Sequence, residues 1–425
     1  MSGPKRRSAK SLAEEAALER LAAKARRNLS ARRSPRAGFT QQQAEALANR
    51  YSSFEDERDD DGFLTNSCLT IHRPDTPRPW IHLMGSAHDE AYGVMGSFWD
   101  PTGLGFLCYE SVLAGPVTSH RDTSYVPTAP RSTDVREFYL REEREGRPAV
   151  WHMLPQVGLE ADRYSGSFCR QRPGWIEIGS ARNGIRSRLR VFVPVDDPCE
   201  AWTITLTNET DGPRTLKLFA RVNWGLQTHP SYYFDPRVTS AGDYLKDLRA
   251  IVALNRDKSN ALPRTGFMMS SAAFQGFDLS GEDFTGGGHF RRFPRAVEEG
   301  KCRNSLGLQP YLGLVGALQY DLKLPPGGSR TIHLLVGRTE REAADYRRHL
   351  TRLQKKFFAG RGVEAEFRRL EETWRRKLGR VAMRSPDEEV DRSYNVWMKY
   401  QQHNTARFTR ALDQVGYRDV LQDLL

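Results

Sequence analysis

No two of the five cysteines (Cys68, Cys108, Cys169, Cys199 and Cys302) stand in a CxxC pair. Their odd, dispersed count does not suit a disulfide framework and fits reduced thiols in a cytoplasmic protein. No run of 18 apolar residues occurs, so no membrane-spanning helix is expected. The N-terminus, MSGPKRRSAKSLAEEAALER, has basic residues but no apolar stretch behind them, and it does not read as a secretion signal. Negative charge is scarce only locally. Residues 1–50 carry 12 lysines and arginines against four glutamates, which accounts for +8 of the total of +11. The remaining body is nearly neutral and offers no phosphate-tracking surface, so nucleic-acid binding is not expected of it.

What is present is enough for a large core. The chain has 425 residues, of which 38% are hydrophobic and 10% aromatic, room for two or three domains. The tail, residues 1–50, holds Leu12, Leu18, Leu21 and Ala22 on helical spacing behind Ser11 as a candidate N-cap. It is expected to be basic, partly helical and mostly solvated, with a nucleic-acid tether as the alternative role. Residues 51–337 read as a sandwich, with period-two patterning from about residue 62. Trp202, Ile204 and Leu206 alternate up to the turn residues Asn208 to Pro213, and Leu216, Leu218, Ala220 and Val222 alternate back, which predicts a hairpin. In IRSRLRVFVP, Arg186, Arg188 and Arg190 take one face and Ile185, Leu189, Val191 and Val193 the other. SRTIHLLVG after PPGG predicts another strand. Many short strands with Gly/Pro turns imply a large antiparallel β-sandwich.

After Gly337 the period changes to that of helices. Two charged segments, TEREAADYRRHLTRLQKKFF and VEAEFRRLEETWRRKLGRV, predict a helical linker over residues 338–380. A further helix follows, with Ser385 as expected N-cap, Pro386 in first position and Glu388 closing a capping box. Val390, Tyr394, Trp397 and Tyr400 or Gln401 would line one apolar face. One helix cannot bury such a face alone, so partner helices are expected, and without them the chain should be poorly soluble.

The chain closes on GYRDVLQDLL, which crowds Arg418, Asp419, Gln422 and Asp423 together. Carboxylates accept from adjacent sugar hydroxyls, and arginine offers a planar fork of donors to diols or phosphate. The residues alone equally fit a capped helix, with Asp419 and Asp423 favouring its positive end.

The wider pattern separates these readings. Asn395, Trp397, Tyr400 and Gln401, a following arginine, then Gly416, Tyr417, Arg418, Asp419, Gln422 and Asp423 resemble the first inner stretch of the catalytic barrel in family 94 glycoside phosphorylases, formerly glycosyltransferase family 36. The order of parts is similar to the family's: an antiparallel β-super-sandwich, a helical linker, then an (α/α)6 barrel. The resemblance covers roughly residues 60–425, strongly at the end and loosely in the sandwich. It implies that residues 381–425 begin that barrel, and that Asp419 and Arg418 bind the donor sugar, with Tyr417 and Gln422 as further substrate-binding candidates. It implies a phosphate contact from Arg410, in Thr409-Arg410-Ala411, with Arg407 as the alternative. The loop between this arginine and Gly416 is shorter than in the family, and a second sugar-contacting arginine has no counterpart.

The same resemblance assigns no catalytic residue within the chain. The family's general acid is the Asp of a Trp-Asn-Asp segment about a hundred residues further on, downstream of Leu425. The expectation is therefore an N-terminal portion of an inverting phosphorylase, inactive alone. Its substrates would be a β-glucoside oligosaccharide and inorganic phosphate, with no metal or organic cofactor and the homodimer as a possible state. The runner-up is a non-catalytic carbohydrate-binding sandwich or pseudoenzyme.

Other stretches invite weaker ideas. DFTGGGHFRRFPR lacks the Lys-Ser/Thr and helix of a phosphate-binding loop, and reads as a sandwich loop. His72, His82 and His88 with Asp75 and Asp89 match no metal-ligand spacing. Trp99, Tyr109, Trp151, Trp175 and Trp224 could stack on sugars but are expected to be core.

Overall fold

The computed structural model describes residues 51–74, 76, 80–87, 95–109, 111–118, 136–144, 146–155, 164–226, 240–255, 265–286, 293–306, 314–340 and 342–408. The basic tail, 1–50, lies outside these. The described strands form three antiparallel sheets. The largest has ten strands in the order β1 (Ser52–Arg58), β2 (Leu64–Ile71), β9 (Ser165–Arg172), β10 (Trp175–Arg182), β11 (Ile185–Phe192), β12 (Cys199–Asn208), β19 (Ser329–Thr339), β16 (Thr265–Ser270), β15 (Ala250–Asn255) and β14 (Ser240–Leu245). A five-stranded sheet runs β17 (Gly276–Ser280), β18 (Leu314–Leu324), β13 (Arg214–Asn223), β7 (Glu137–Arg144) and β8 (Arg147–His152). Four strands, β3 (His82–Gly85), β4 (Met95–Trp99), β5 (Gly105–Tyr109) and β6 (Ser111–Pro116), make the third.

The expected hairpin at residue 208 does not form. β12 pairs with β11 and β19, whereas β13 pairs with β7 and β18 in the other sheet. Both strands carry a fully apolar alternate face, and each face needs an opposing sheet to bury it. The chain between them therefore crosses the sandwich, a step of about 10 Å that a few extended residues span. Trp202, Ile204 and Leu206 then pack in one core with Leu216, Leu218, Ala220 and Val222. β18 returns to β19 through Pro325–Gly328 in the same manner. Asn208, wholly buried, ties the two crossings together by donating to the carbonyls of Gly212, Leu324 and Pro325.

The tryptophans are core, as their patterning predicts. Trp99, Trp151 and Trp224 sit in the sandwich interior, Trp175 in a second core, and Tyr109 packs partly buried against the first. All five cysteines are buried without a disulfide.

Two short helices, α1 (Gly281–Thr285) and α2 (Arg295–Glu299), cover the outer face of the five-stranded sheet around Phe219, Phe284 and Val297. Of the glycine-rich loop between them, residues 287–292 are outside the described set. Two longer helices, α3 (Ala343–Phe358) and α4 (Gly362–Leu378), carry the charged segments expected as a linker. They lie on the ten-stranded sheet. Tyr346, Leu350, Leu353 and Phe357 from α3, and Val363, Phe367, Leu370 and Trp374 from α4, close over Phe192, Ala201, Phe267, Met269 and Leu335. Ion pairs fix this lid: Arg352 and Lys356 meet the fully buried Asp197 at 2.8 and 2.7 Å.

The last described helix comes in three pieces: α5 (Glu388–Arg392), a π-helical turn (Ser393–Met398) and α6 (Lys399–Phe408). Its N-cap is Asp387, whose side chain accepts from the backbone of Glu389 and Val390. Ser385, the expected cap, instead turns the chain just before it, bonding Asp387 through both its hydroxyl donor and acceptor. Among the described residues this helix has no inner and outer partner of a barrel.

Candidate functional site

The residues proposed from the motif fall mostly beyond the described set. Arg410, Tyr417, Arg418, Asp419 and Gln422 lie outside it, as does the side chain of Arg407, whose backbone forms part of α6. What the structure places is the helix that leads into them and the way it is held.

The π turn decides which side of that helix is buried. A π turn closes i→i+5 bonds and advances the register by one residue relative to an α-helix. Buried positions run Asp391, Asn395, Val396, Tyr400 and Asn404, so within the turn the buried face shifts by one residue, from Asn395 to Val396. Val390, Tyr394 and Met398 stay exposed, at 43%, 37% and 54%. This corrects the uniform α-helical reading, which put Val390 and Tyr394 with Trp397 on the buried face. The helix also finds its cover on the sandwich instead of waiting for partner helices: Val396 and Tyr400 join the core beneath α3 and α4.

The motif residues Asn395 and Tyr400 turn out to be fasteners. The Asn395 amide clamps Met383, accepting from its N–H at 2.9 Å and donating to its carbonyl at 2.8 Å. The Tyr400 hydroxyl donates to the Leu83 carbonyl at 2.7 Å and accepts from Gly174 N–H at 3.1 Å. Asn404 reaches the same Leu83 carbonyl at 3.2 Å. The Tyr400 ring stacks on His82 at 5.7 Å and meets Trp374 edge-on at 4.8 Å. Gly174 turns there at φ +90, and a Cβ on it would lie 2.5 Å from Trp374 Nε1. Only glycine admits both the turn and the close tryptophan.

Charge pairs complete the seat. Arg392 forks onto Asp56 of β1, with contacts from 2.7 to 3.1 Å, and stacks over Phe54. Burial lowers the Lys399 ammonium's pKa, and Lys399 donates to the carbonyls of Leu378 and Val381 at the end of α4. His82, enclosed and bonded to the Arg172 carbonyl at 2.9 Å, is pushed down to about 4 by burial and is neutral at pH 7.

His82 therefore belongs to the seat of α6, and His72 bonds Ser53 at 2.9 Å on the surface. His88, Asp75 and Asp89 lie outside the described residues. Among the described residues no three His, Cys, Asp or Glu side chains gather as a metal site. No described helix is long and apolar enough to cross a membrane.

Sequence reasoning missed one buried network. Glu200, on β12, accepts from Ser97 and Arg136 and from the indoles of Trp99 and Trp202 at 3.0 and 2.9 Å, with both charges fully enclosed. Arg136 also lies over Trp99 at 4.2 Å, and burial lowers its pKa to about 10. The signal was available: Glu200 shares parity with the inward Trp202, Ile204 and Leu206.

The structure is a multi-sheet β-sandwich with helices seated on it, and the sequence leads from the last of these helices into a stretch rich in arginine and carboxylates. Comparison supplies the family. The supersandwich domain of glycosyl hydrolase 94 matches residues 67–357, more than half of the chain, and the chain belongs to that family. It is similar to the solabiose phosphorylase of Paenibacillus borealis, 32% identical over 294 residues, which are 68% of this chain and 36% of that one. It is also similar to the 3-O-beta-D-glucopyranosyl-beta-D-glucuronide phosphorylase of the same organism, 29% identical over 68% of this chain and 36% of that one. The N,N'-diacetylchitobiose phosphorylase of Vibrio proteolyticus is 24% identical over 85% of this chain and 43% of its own length. The chain thus spans well under half the length of these relatives.

Proposed function

We propose that this chain is the sandwich-bearing portion of an inverting glycoside phosphorylase that cleaves β-linked gluco-oligosaccharides with inorganic phosphate, giving α-D-glucose 1-phosphate. The observation that carries the reading is the family 94 supersandwich match, joined to the Gly416–Asp423 motif at the end of the sequence. On this reading the helix from Glu388 opens the (α/α)6 barrel, and the sandwich holds it in place through Tyr400, Asn404 and Arg392. Asp419 and Arg418 then face the donor sugar, Tyr417 and Gln422 stand beside them, and Arg410 or Arg407 meets phosphate.

The chemistry needs few groups. An inverting hydrolase uses one carboxylic acid to protonate the leaving oxygen and a second carboxylate to activate water. Phosphate is already an anionic nucleophile, so the second carboxylate gives way to cationic and hydrogen-bonding donors that hold the anion. A phosphate oxygen bonds to the anomeric carbon from the face opposite the leaving group. The glycosidic C–O bond breaks, and its oxygen takes the acid's proton. No metal or organic cofactor enters this scheme.

Incubated with cellobiose, sophorose or laminaribiose and phosphate, the 425-residue chain alone should release no glucose 1-phosphate, since its sequence holds no Trp-Asn-Asp acid segment. Joined to the remaining length of the solabiose phosphorylase, it should release a sugar 1-phosphate, and Asp419→Asn should abolish that release. Turnover by the chain alone, or a folded chimera indifferent to Asp419→Asn, would contradict the assignment.

A further inference from the structure

The outer face of the ten-stranded sheet is only partly covered by α3 and α4, and two cavities open beside α4. One, of about 230 Å³, is lined by Glu177, Arg188, Arg190, Thr203, Thr205 and Thr331 of the sheet and by Glu364 of α4. The other, of about 330 Å³, is lined by Arg170, Arg172 and Trp175 with Cys68 and the carboxylates of Glu55, Asp56 and Glu57. Arg170 and Glu177 are register partners across β9 and β10, so the cavities adjoin. The floor crosses seven adjacent strands from β1 to β19, about 29 Å at the usual strand spacing.

Three features make this more than a solvated sheet face. First, three arginines are packed over rings, Arg170 over Phe168 at 5.4 Å, Arg172 over Trp175 at 5.9 Å and Arg190 over Phe367 at 4.0 Å, with Arg172 also paired to Glu57 and Arg190 to Glu364. Their donor forks are ordered in advance, which lowers the entropy cost of binding. Second, the Nε donors of all three are buried without a partner. An unpaired donor buried in this way calls for an ordered water within the lining. Third, hydroxyls line up across β12 and β19, Thr205 with Thr331 at 3.1 Å and Thr207 with Ser329 at 2.7 Å, beside the bidentate Arg188–Glu177 pair at 2.7 and 2.9 Å.

The charge balance selects the ligand class. Two arginines face two glutamates in the first cavity, and two face three carboxylates in the second. An anion gains little from such a lining, and phosphodiesters are repelled by Glu55, Asp56 and Glu57. An array of alternating donors and acceptors on an open groove suits vicinal hydroxyls. We propose that this groove is a binding site for an uncharged oligosaccharide, able to hold a longer sugar chain on the sandwich.

The test is affinity of the full chain for cellohexaose and laminarihexaose by calorimetry. Arg170→Ala and the double variant Thr205→Val/Thr331→Val should each weaken binding of one of these sugars tenfold or more. Among the described residues the Arg170 side chain makes no hydrogen bond, and the valines keep the threonine shape, so unchanged melting temperatures separate lost binding from lost folding. The proposal is overturned if neither hexaose binds or if binding survives both sheet variants.

Discussion

Glu200 is the residue on which the sandwich interior most depends. Its fully buried carboxylate satisfies two indoles, a serine and the Arg136 guanidinium. Removing one member of a buried ion pair leaves the other charge stranded, at about 3–5 kcal/mol. Glu200→Ala should lower the unfolding free energy obtained from urea titration by that order, and a loss under about 1 kcal/mol would show that Arg136 finds another partner. His82 sets an acid limit. Its folded pKa of about 4 lies below the ordinary 6.5, so between these values the unfolded chain binds a proton that the folded chain refuses. Stability therefore falls as pH drops below 6.5, by about 3 kcal/mol at pH 4, and is unaffected above. Melting temperatures from pH 7 to 4 should fall less steeply in His82→Gln, which keeps a donor for the Arg172 carbonyl; equal slopes would contradict the burial. At this scale the sequence was readable wherever parity spoke, as for the tryptophans and for Arg186, Arg188 and Arg190. It did not show the polar partners of Tyr400 and His82, which are backbone groups of Leu83, Gly174 and Arg172 brought together only by the fold.

At the level of elements, strand existence was legible and strand pairing was not. Alternation placed β11, β12, β13 and β19, because period-two burial is local. Whether consecutive strands pair edge to edge or face to face depends on which sheet buries them, and the five-residue connection between β12 and β13 permits both. The helix at 388–408 shows the same limit. Its apolar positions were visible, but the π turn that selects Val396 and Tyr400 over Val390 and Tyr394 reflects docking on Leu83 and Gly174, not local propensity. Tyr400→Phe should leave Gly174 N–H unsatisfied and weaken the Leu83 contact, costing about 1–3 kcal/mol. Hydrogen exchange should quicken first in α6 and the 173–174 turn; uniform quickening across the sandwich would contradict a local seat.

For the molecule as a whole, the family assignment rests on residues 67–357, and the proposed chemistry on the stretch after Phe408. The sandwich supplies a rigid bed: the charged segments expected as a helical linker pack on its ten-stranded sheet, and the helix beyond them is pinned by hydrogen bonds from three directions. Little of the candidate site itself could come from periodicity, since arginines and aspartates near a terminus suit a helix cap equally well; only the ordered motif separates the two. The most direct measurement is titration of the chain with α-D-glucose 1-phosphate, followed by ligand-observed NMR, in wild type and Asp419→Asn. The account predicts a saturable signal in the wild type that the substitution removes while the melting temperature holds. Equal signals in the two proteins, or none in either, would contradict it.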